Sequence, residues 1–250
     1  MNARSTLRSS AVALIITASL VHRAHAQVIT ADLAEQNTKP LRAYGDVSLI
    51  VAQPVHDFHD HVRGAAGIGG AWIQPIGGSL SALQFRADIG WMQYGSETIR
   101  VPLNQYTGRV QLDVTTSNNI FTAGVGPQLA MTRGPVRPYV NAGVTWSYFY
   151  TQSTADGSDG NNYNSNLSTQ NYGDGVVGWT GGGGVLFPLH VKSTPVAIDV
   201  GARYLAHSDV RYLREGSIKD TGNGQIAFTP IQSRADMWTF RLGAQVGLKF

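Results

Sequence analysis

The chain contains no cysteine. That removes disulfides, thiolate metal sites and cysteine nucleophiles together. Beyond residue 26 it also lacks any continuous apolar run long enough to cross a membrane as a helix, which needs about 20 residues. Charge is sparse, at 14% Asp, Glu, Lys and Arg, whereas glycine is abundant, with 29 residues. Both are unusual for a soluble protein. A barrel wall tolerates both, because its strands need apolar residues only at alternate positions.

The N-terminus reads as a secretory leader. Arg4 and Arg8 start it, an apolar run from Ala11 to Val21 follows, and Ala24-His25-Ala26 is an A-x-A cleavage site. The mature chain then begins at Gln27. A short N-terminal anchor helix is the other reading, but the run is shorter than the ~20 residues of a spanning helix. The leader holds three arginines (Arg4, Arg8, Arg23) and no acid, so its removal leaves 16 basic and 16 acidic residues. The basic balance belongs to the export signal and gives no support for a nucleic-acid partner. An exported domain without disulfides must draw stability from elsewhere, and a closed hydrogen-bonded barrel is one such source.

The C-terminal segment alternates most clearly. Trp238, Phe240, Leu242, Ala244, Val246, Leu248 and Phe250 occupy every second position. Thr239, Arg241, Gly243, Gln245, Gly247 and Lys249 lie between them. A period of two places one face against an apolar medium and the other against a polar one. A tilted membrane strand needs about 9–11 residues, and this segment is long enough. The same alternation marks a seventh strand (Val196, Ile198, Val200, Ala202, Tyr204), a fifth (Val140 to Tyr148), a fourth (Phe121 to Met131) and a third (Leu83 to Trp91). Pro127 removes a ladder donor from the fourth, where a bulge or bend is expected. Weaker patterns complete the count: Arg42 to Ala52, a glycine-rich Val62 to Gln74, and Val176 to Phe187.

Short and long connections alternate. Pro75–Ser79, Arg133–Pro138 and Pro188–Pro195 are tight, whereas Gln53–His61, Gly95–Thr107, Thr154–Asp174 and His207–Ala235 are long. Periplasmic turns and extracellular loops alternate in this way. Trp91, Tyr94, Trp146, Tyr148, Tyr150, Trp179, Tyr204 and Trp238 fall toward the extracellular ends. Trp72, Tyr139, Phe187 and Phe250 fall toward the periplasmic ends. Two such bands suit the headgroup regions. The expected fold is all-β, an eight-stranded antiparallel up-and-down transmembrane barrel. Its expected parts are a cleaved signal peptide (1–26), a short periplasmic segment (27–41) and the barrel (42–250).

The leader and the alternating terminal strand ending in Phe250 resemble the outer-membrane β-barrel family that includes opacity-type porin-like proteins and the OmpA-type transmembrane domain. The resemblance spans Arg42 to Phe250. It implies a Gram-negative cell outer membrane location, surroundings of lipid and lipopolysaccharide, and recognition of Phe250 by the barrel-insertion machinery. It implies little about function, because the same barrel hosts adhesins, small pores, enzymes and anchors.

Four constellations could carry chemistry. By parity, Asp46, Arg86, Asp88, Asp199, Arg203 and Arg241 point into the lumen with Arg42 and Lys249. An eight-stranded interior is only wide enough for side chains to fill, and charges there must pair. A plug of ion pairs is one reading, and a narrow pore favouring anions is the other. His56-Asp57-Phe58-His59-Asp60-His61 is dense in metal donors, so His56, His59 and His61 are candidate ligands, or simply residues of a solvated loop. The stretch from Thr154 to Asp174 faintly suggests a calcium loop at Asp156–Asn161 but lacks the terminal bidentate Glu. His207-Ser208 are adjacent, but neighbouring strand residues face opposite ways, so no nucleophile and base are matched. Gly181 to Gly184 precede no helix signal. They fit tight curvature or bulky lumen neighbours better than a phosphate loop. No enzyme activity and no cofactor are expected. The leading expectation is a structural barrel with surface-displayed loops, including adhesion to a host or cell-surface ligand. A small weakly selective channel and a barrel hydrolase are the alternatives.

Overall fold

The computed structural model describes residues 43–77, 81–102, 111–157, 167–189, 194–214, 217–220 and 226–248. The leader, the segment up to residue 42, Lys249 and Phe250 lie outside the described residues.

Eight strands close a barrel: β1 (Ala43–Pro54), β2 (Ala65–Pro75), β3 (Leu83–Pro102), β4 (Gln111–Ala130), β5 (Arg137–Gly157), β6 (Leu167–Leu189), β7 (Val196–His207) and β12 (Met237–Leu248). Every neighbouring pair is antiparallel, and closure comes from β12 pairing with β1 from Ala43↔Leu248 to Pro54↔Met237. Four short strands, β8 (Asp209–Tyr212), β9 (Ile218–Asp220), β10 (Ile226–Phe228) and β11 (Ile231–Arg234), form two small hairpin sheets between β7 and β12. A single 3-10 turn, His56–Phe58, follows β1.

The barrel is apolar outside and polar inside. Val47, Leu49 and Val51 are exposed on β1, while Asp46 and Ser48 beside them are buried. All five tryptophans point outward, with exposures between 39% and 71%. In water this would be an unstable surface. In a bilayer it is the required one, since a closed ladder satisfies every strand's backbone and the belt meets lipid. Two aromatics expected in the outer bands turn inward instead. Tyr139 is 5% exposed in the lumen, and Tyr94 packs in a buried cluster at the extracellular mouth. Tyr94 is the extra residue of a bulge between Gln93 and Gly95, and bulges re-aim side chains in this way.

Pro127 makes no bulge. The β4–β5 register runs unchanged from Val125↔Val144 to Gln128↔Asn141, and only the two rungs between them are missing. Proline has no N–H to give, so rungs are lost and the register is kept.

The long connections are shorter than the sequence implies. β3 to β6 are each 20 to 23 residues long, about twice a tilted membrane strand. The upper halves pair through polar side chains. Thr98 and Thr115 hydroxyls meet at 3.0 Å, and those of Thr116 and Ser153 at 2.8 Å. Cross-strand Thr and Ser pairs stabilise a ladder. Their faces carry no apolar alternation, which is why the sequence reads as loop there.

Candidate functional site: the lumen

Along β7, Asp199, Arg203 and His207 follow at four-residue intervals and all are buried. Four residues of strand rise about 13 Å, so they mark three storeys of the lumen.

The middle storey is an ion cluster centred on Asp88. Its Oδ1 accepts from Arg86 Nε at 2.8 Å and from Arg241 Nη1 at 3.2 Å, and its Oδ2 accepts from Arg203 Nη2 at 2.8 Å. Arg241 Nη2 also donates to Asp46 at 2.8 Å. Arg86 Nη1 donates to Gln128 at 3.0 Å, which in turn donates to Gln84 at 2.8 Å. Arg203 Nε donates to Asn141 at 2.8 Å. Strands β1, β3, β4, β5, β7 and β12 all contribute. β6 contributes space: a Cβ on Gly182 would lie 2.8 Å from Arg203 Cγ, and one on Gly184 2.6 Å from the Tyr139 hydroxyl.

Asp199 stands apart from the arginines. Its partner is the Tyr139 hydroxyl, which donates to Oδ1 at 2.7 Å. Asp199 therefore belongs to the storey below, and the Arg86 guanidinium lies 5.9 Å from the centre of the Tyr139 ring. Tyrosine, assigned from sequence to the headgroup band, takes the place expected for a guanidinium. Arg203 is paired with Thr239, and Arg241 with Gly201, two rungs apart. A cavity of about 40 Å³ lies against Asp88, Arg203, Arg241, Thr145 and Thr239. Ile50, Ile89, Met92 and Leu205 line it as well, and it is large enough to hold water.

The top storey pairs Ser147 with His207, a contact that sequence reasoning missed. Ser147 Oγ lies 2.7 Å from His207 Nε2, and His207 Nδ1 lies 2.8 Å from the Ala235 carbonyl. A carbonyl only accepts, so Nδ1 carries the proton and Nε2 accepts from the serine. The His207 backbone N–H donates to Asp236 Oδ1 at 2.9 Å. The serine is fully buried. The separation of 60 positions in the chain leaves no local signal.

An aromatic cap covers this pair. Phe58 is fully buried, its ring edge-on to Tyr212 at 5.2 Å, Phe149 at 6.0 Å and Tyr94 at 6.2 Å. The Tyr94 hydroxyl donates to the Leu213 carbonyl at 2.9 Å, tying the cap to the end of β8. Burial pushes the Tyr212 phenol above its ordinary value. Asp236 anchors the rim by accepting from Tyr204 at 3.2 Å and Arg234 at 3.1 Å, and its carbonyl accepts from Val55 N at 3.0 Å.

The cap also corrects the metal expectation. The 3-10 turn buries Phe58, sends His56 toward Asp236 at 3.8 Å and sets the His61 ring beside Tyr212 at 6.4 Å. His56, His59 and His61 are therefore not gathered, and no metal-holding group of His, Asp or Glu occurs among the described residues. Asp156 and Gly157 end β5, and the rest of the calcium-like stretch lies outside the described residues.

No family model matches the chain, and no curated protein resembles it in sequence. Solved structures of similar shape are outer-membrane barrels. Ail, the attachment invasion locus protein of Yersinia pestis, is 10% identical, covers 84% of this chain and 99% of its own, and superposes with a TM-score of 0.45. The major outer membrane protein of Thermus thermophilus is 13% identical over 82% of this chain and 99% of its own, TM-score 0.43. Neisserial surface protein A is 16% identical over 83% and 97%, TM-score 0.39. At these scores the likeness carries nothing about ligand or activity. The closed ladder and its lipid-facing belt make the chain an outer-membrane β-barrel, and the cell outer membrane is its place.

Proposed function

We propose that the protein is a non-conducting outer-membrane barrel that holds a tall polar wall at the cell surface. The reading rests above all on the Asp88 cluster. Three guanidiniums, two carboxylates and their amide partners from six strands join across the lumen. Removing Asp88 takes the shared carboxylate from three buried guanidiniums, and breaking buried pairs in this way costs several kcal/mol. The aromatic cap supports the same reading from above.

With the lumen closed, the function moves to the exposed upper halves of β3 to β6 and the hairpins above β7 and β12. Their polar, hydroxyl-rich faces suit contact with a host or cell-surface ligand. Surroundings of lipid and lipopolysaccharide, and insertion through the C-terminal strand, belong to this proposal. The Ser147–His207 pair takes a structural role in it, because both residues are buried beneath the cap. Cell adhesion that survives trimming of the β5–β6 extension would remove the surface-contact part.

A small weakly selective channel is the second reading. The cavity beside Asp88, Arg203 and Arg241 favours it, since water there could link two ends of a pore. Liposome swelling separates the two. Swelling at the protein-free rate supports the closed barrel, and sugar uptake through inserted protein removes it.

A further inference from the structure

The chamber of about 40 Å³ in the middle storey has a charged floor and an apolar ceiling. Asp88, Arg203 and Arg241 are its only charged lining residues. Ile50, Met92 and Leu205 line it too, and they belong to the buried apolar cluster beneath the mouth. Met92 follows Asp88 up β3, and Leu205 follows Arg203 up β7, so the apolar residues lie on the extracellular side of the charges. Threonines complete the walls: Thr122 of β4, Thr145 of β5, Thr180 of β6 and Thr239 of β12.

The charges around the chamber do not balance. Arg86, Arg203 and Arg241 share Asp88, and Arg241 also holds Asp46. Three guanidiniums therefore meet two carboxylates. Asp199, the third carboxylate on the inner face, accepts from Tyr139 in the storey below and does not line the chamber. One positive charge is left against an apolar ceiling, where an uncompensated ion is costly.

Hydroxyl donors face the same space. Thr180 Oγ1 is buried and has no hydrogen-bond partner, a state that buried polar atoms rarely keep. Thr145 and Thr239 hold only long bonds, at 3.4 Å to the Ala123 carbonyl and at 3.3 Å to the Arg203 carbonyl. A hydroxyl proton rotates toward a better acceptor when one is present. Water would satisfy these hydroxyls and leave the charge. An anion satisfies both.

We propose that this chamber binds one monatomic anion of the chloride class, held by the Arg203 and Arg241 guanidiniums and the Thr180 hydroxyl. The size of the chamber sets the class, with room for a halide and none for an organic acid. The ion completes the charge balance of the Asp88 cluster. Its site exists only in the closed barrel, so the anion stabilises the folded state by mass action. The site goes beyond the closed-barrel reading and does not depend on it, because a resident ion and a passing one both occupy it and only flux tells them apart.

The test has two parts, both on the refolded full barrel. Urea unfolding in lipid vesicles is followed while chloride replaces gluconate at constant ionic strength, and crystals soaked in bromide are measured at the bromine absorption edge. The unfolding midpoint of wild type is expected to rise with chloride to a plateau, and a bromide peak to lie between Arg203, Arg241 and Thr180. Thr180→Val keeps the shape without the hydroxyl and raises the chloride concentration for half the effect several-fold. Thr145→Val serves in the same way if the first variant fails to fold. A wild-type midpoint independent of chloride overturns the proposal, as does the same chloride dependence in a folded Thr180→Val, where general salt effects are unchanged. Bromide found only at exposed arginines outside the lumen, such as Arg133 and Arg211, overturns it too and leaves water in the chamber.

Discussion

Arg241 donates to Asp46 at 2.8 Å, although 195 residues separate them in the chain. The two sit on β12 and β1, the pair that closes the barrel. Forming this bond requires the whole ladder, so the cluster reports closure.

Asp88 holds three arginines, and its loss leaves them facing one another. Asp88→Asn is expected to destabilise the folded barrel by about 3–5 kcal/mol, the range for breaking a buried pair. Urea unfolding in lipid vesicles, followed by tryptophan emission, measures this. A change below about 1 kcal/mol would place the cluster in accessible water.

Ser147→Ala leaves His207 Nε2 without its partner. An orphaned buried acceptor costs about 1–3 kcal/mol, readable by the same unfolding. Hydrolysis of a soluble p-nitrophenyl ester by the refolded barrel is expected to stay at background in both proteins. Serine-dependent hydrolysis by wild type would make the pair catalytic.

The lower halves of the strands are legible from alternation alone, and so are the inward charges Asp46, Arg86, Asp88, Arg203 and Arg241. Each follows from one rule, that neighbours on a strand face opposite ways. The upper halves of β3 to β6 are not legible, because with water on both sides Thr98 or Thr116 needs no apolar neighbour. Phe58 is hidden by its histidines and aspartates, whose donor density suggests a metal loop, while the physical driver is one buried ring. Tyr139 and Tyr94 mislead because tyrosine suits both a headgroup band and a buried hydrogen bond. Ser147 with His207 depends on strand register, which no local pattern carries.

Close backbone approach makes some glycines indispensable. A Cβ on Gly126 would sit 2.0 Å from the Ala142 carbonyl oxygen, and one on Gly143 2.3 Å from that of Val125. Gly126→Ala and Gly143→Ala are expected to lower the yield of heat-modifiable folded protein on cold gels. Gly181→Ala, into open space, is expected to fold as wild type. Equal yields for all three would contradict the close β4–β5 approach.

The cap is a separate layer. Phe58→Ala empties its centre, at a cost of about 3–5 kcal/mol for a well-packed ring. Faster proteinase K cleavage between β8 and β11 should report the loosening. Ion flux through this variant should stay low, because the Asp88 cluster lies beneath.

Single-channel recording of the refolded mature barrel in a planar bilayer tests the closed lumen most directly. With insertion shown independently, wild type is expected to give no discrete openings, and Arg86→Ala combined with Phe58→Ala to give measurable leak. Discrete, repeatable openings in wild type would contradict the account and make the Asp88 cluster a selectivity filter.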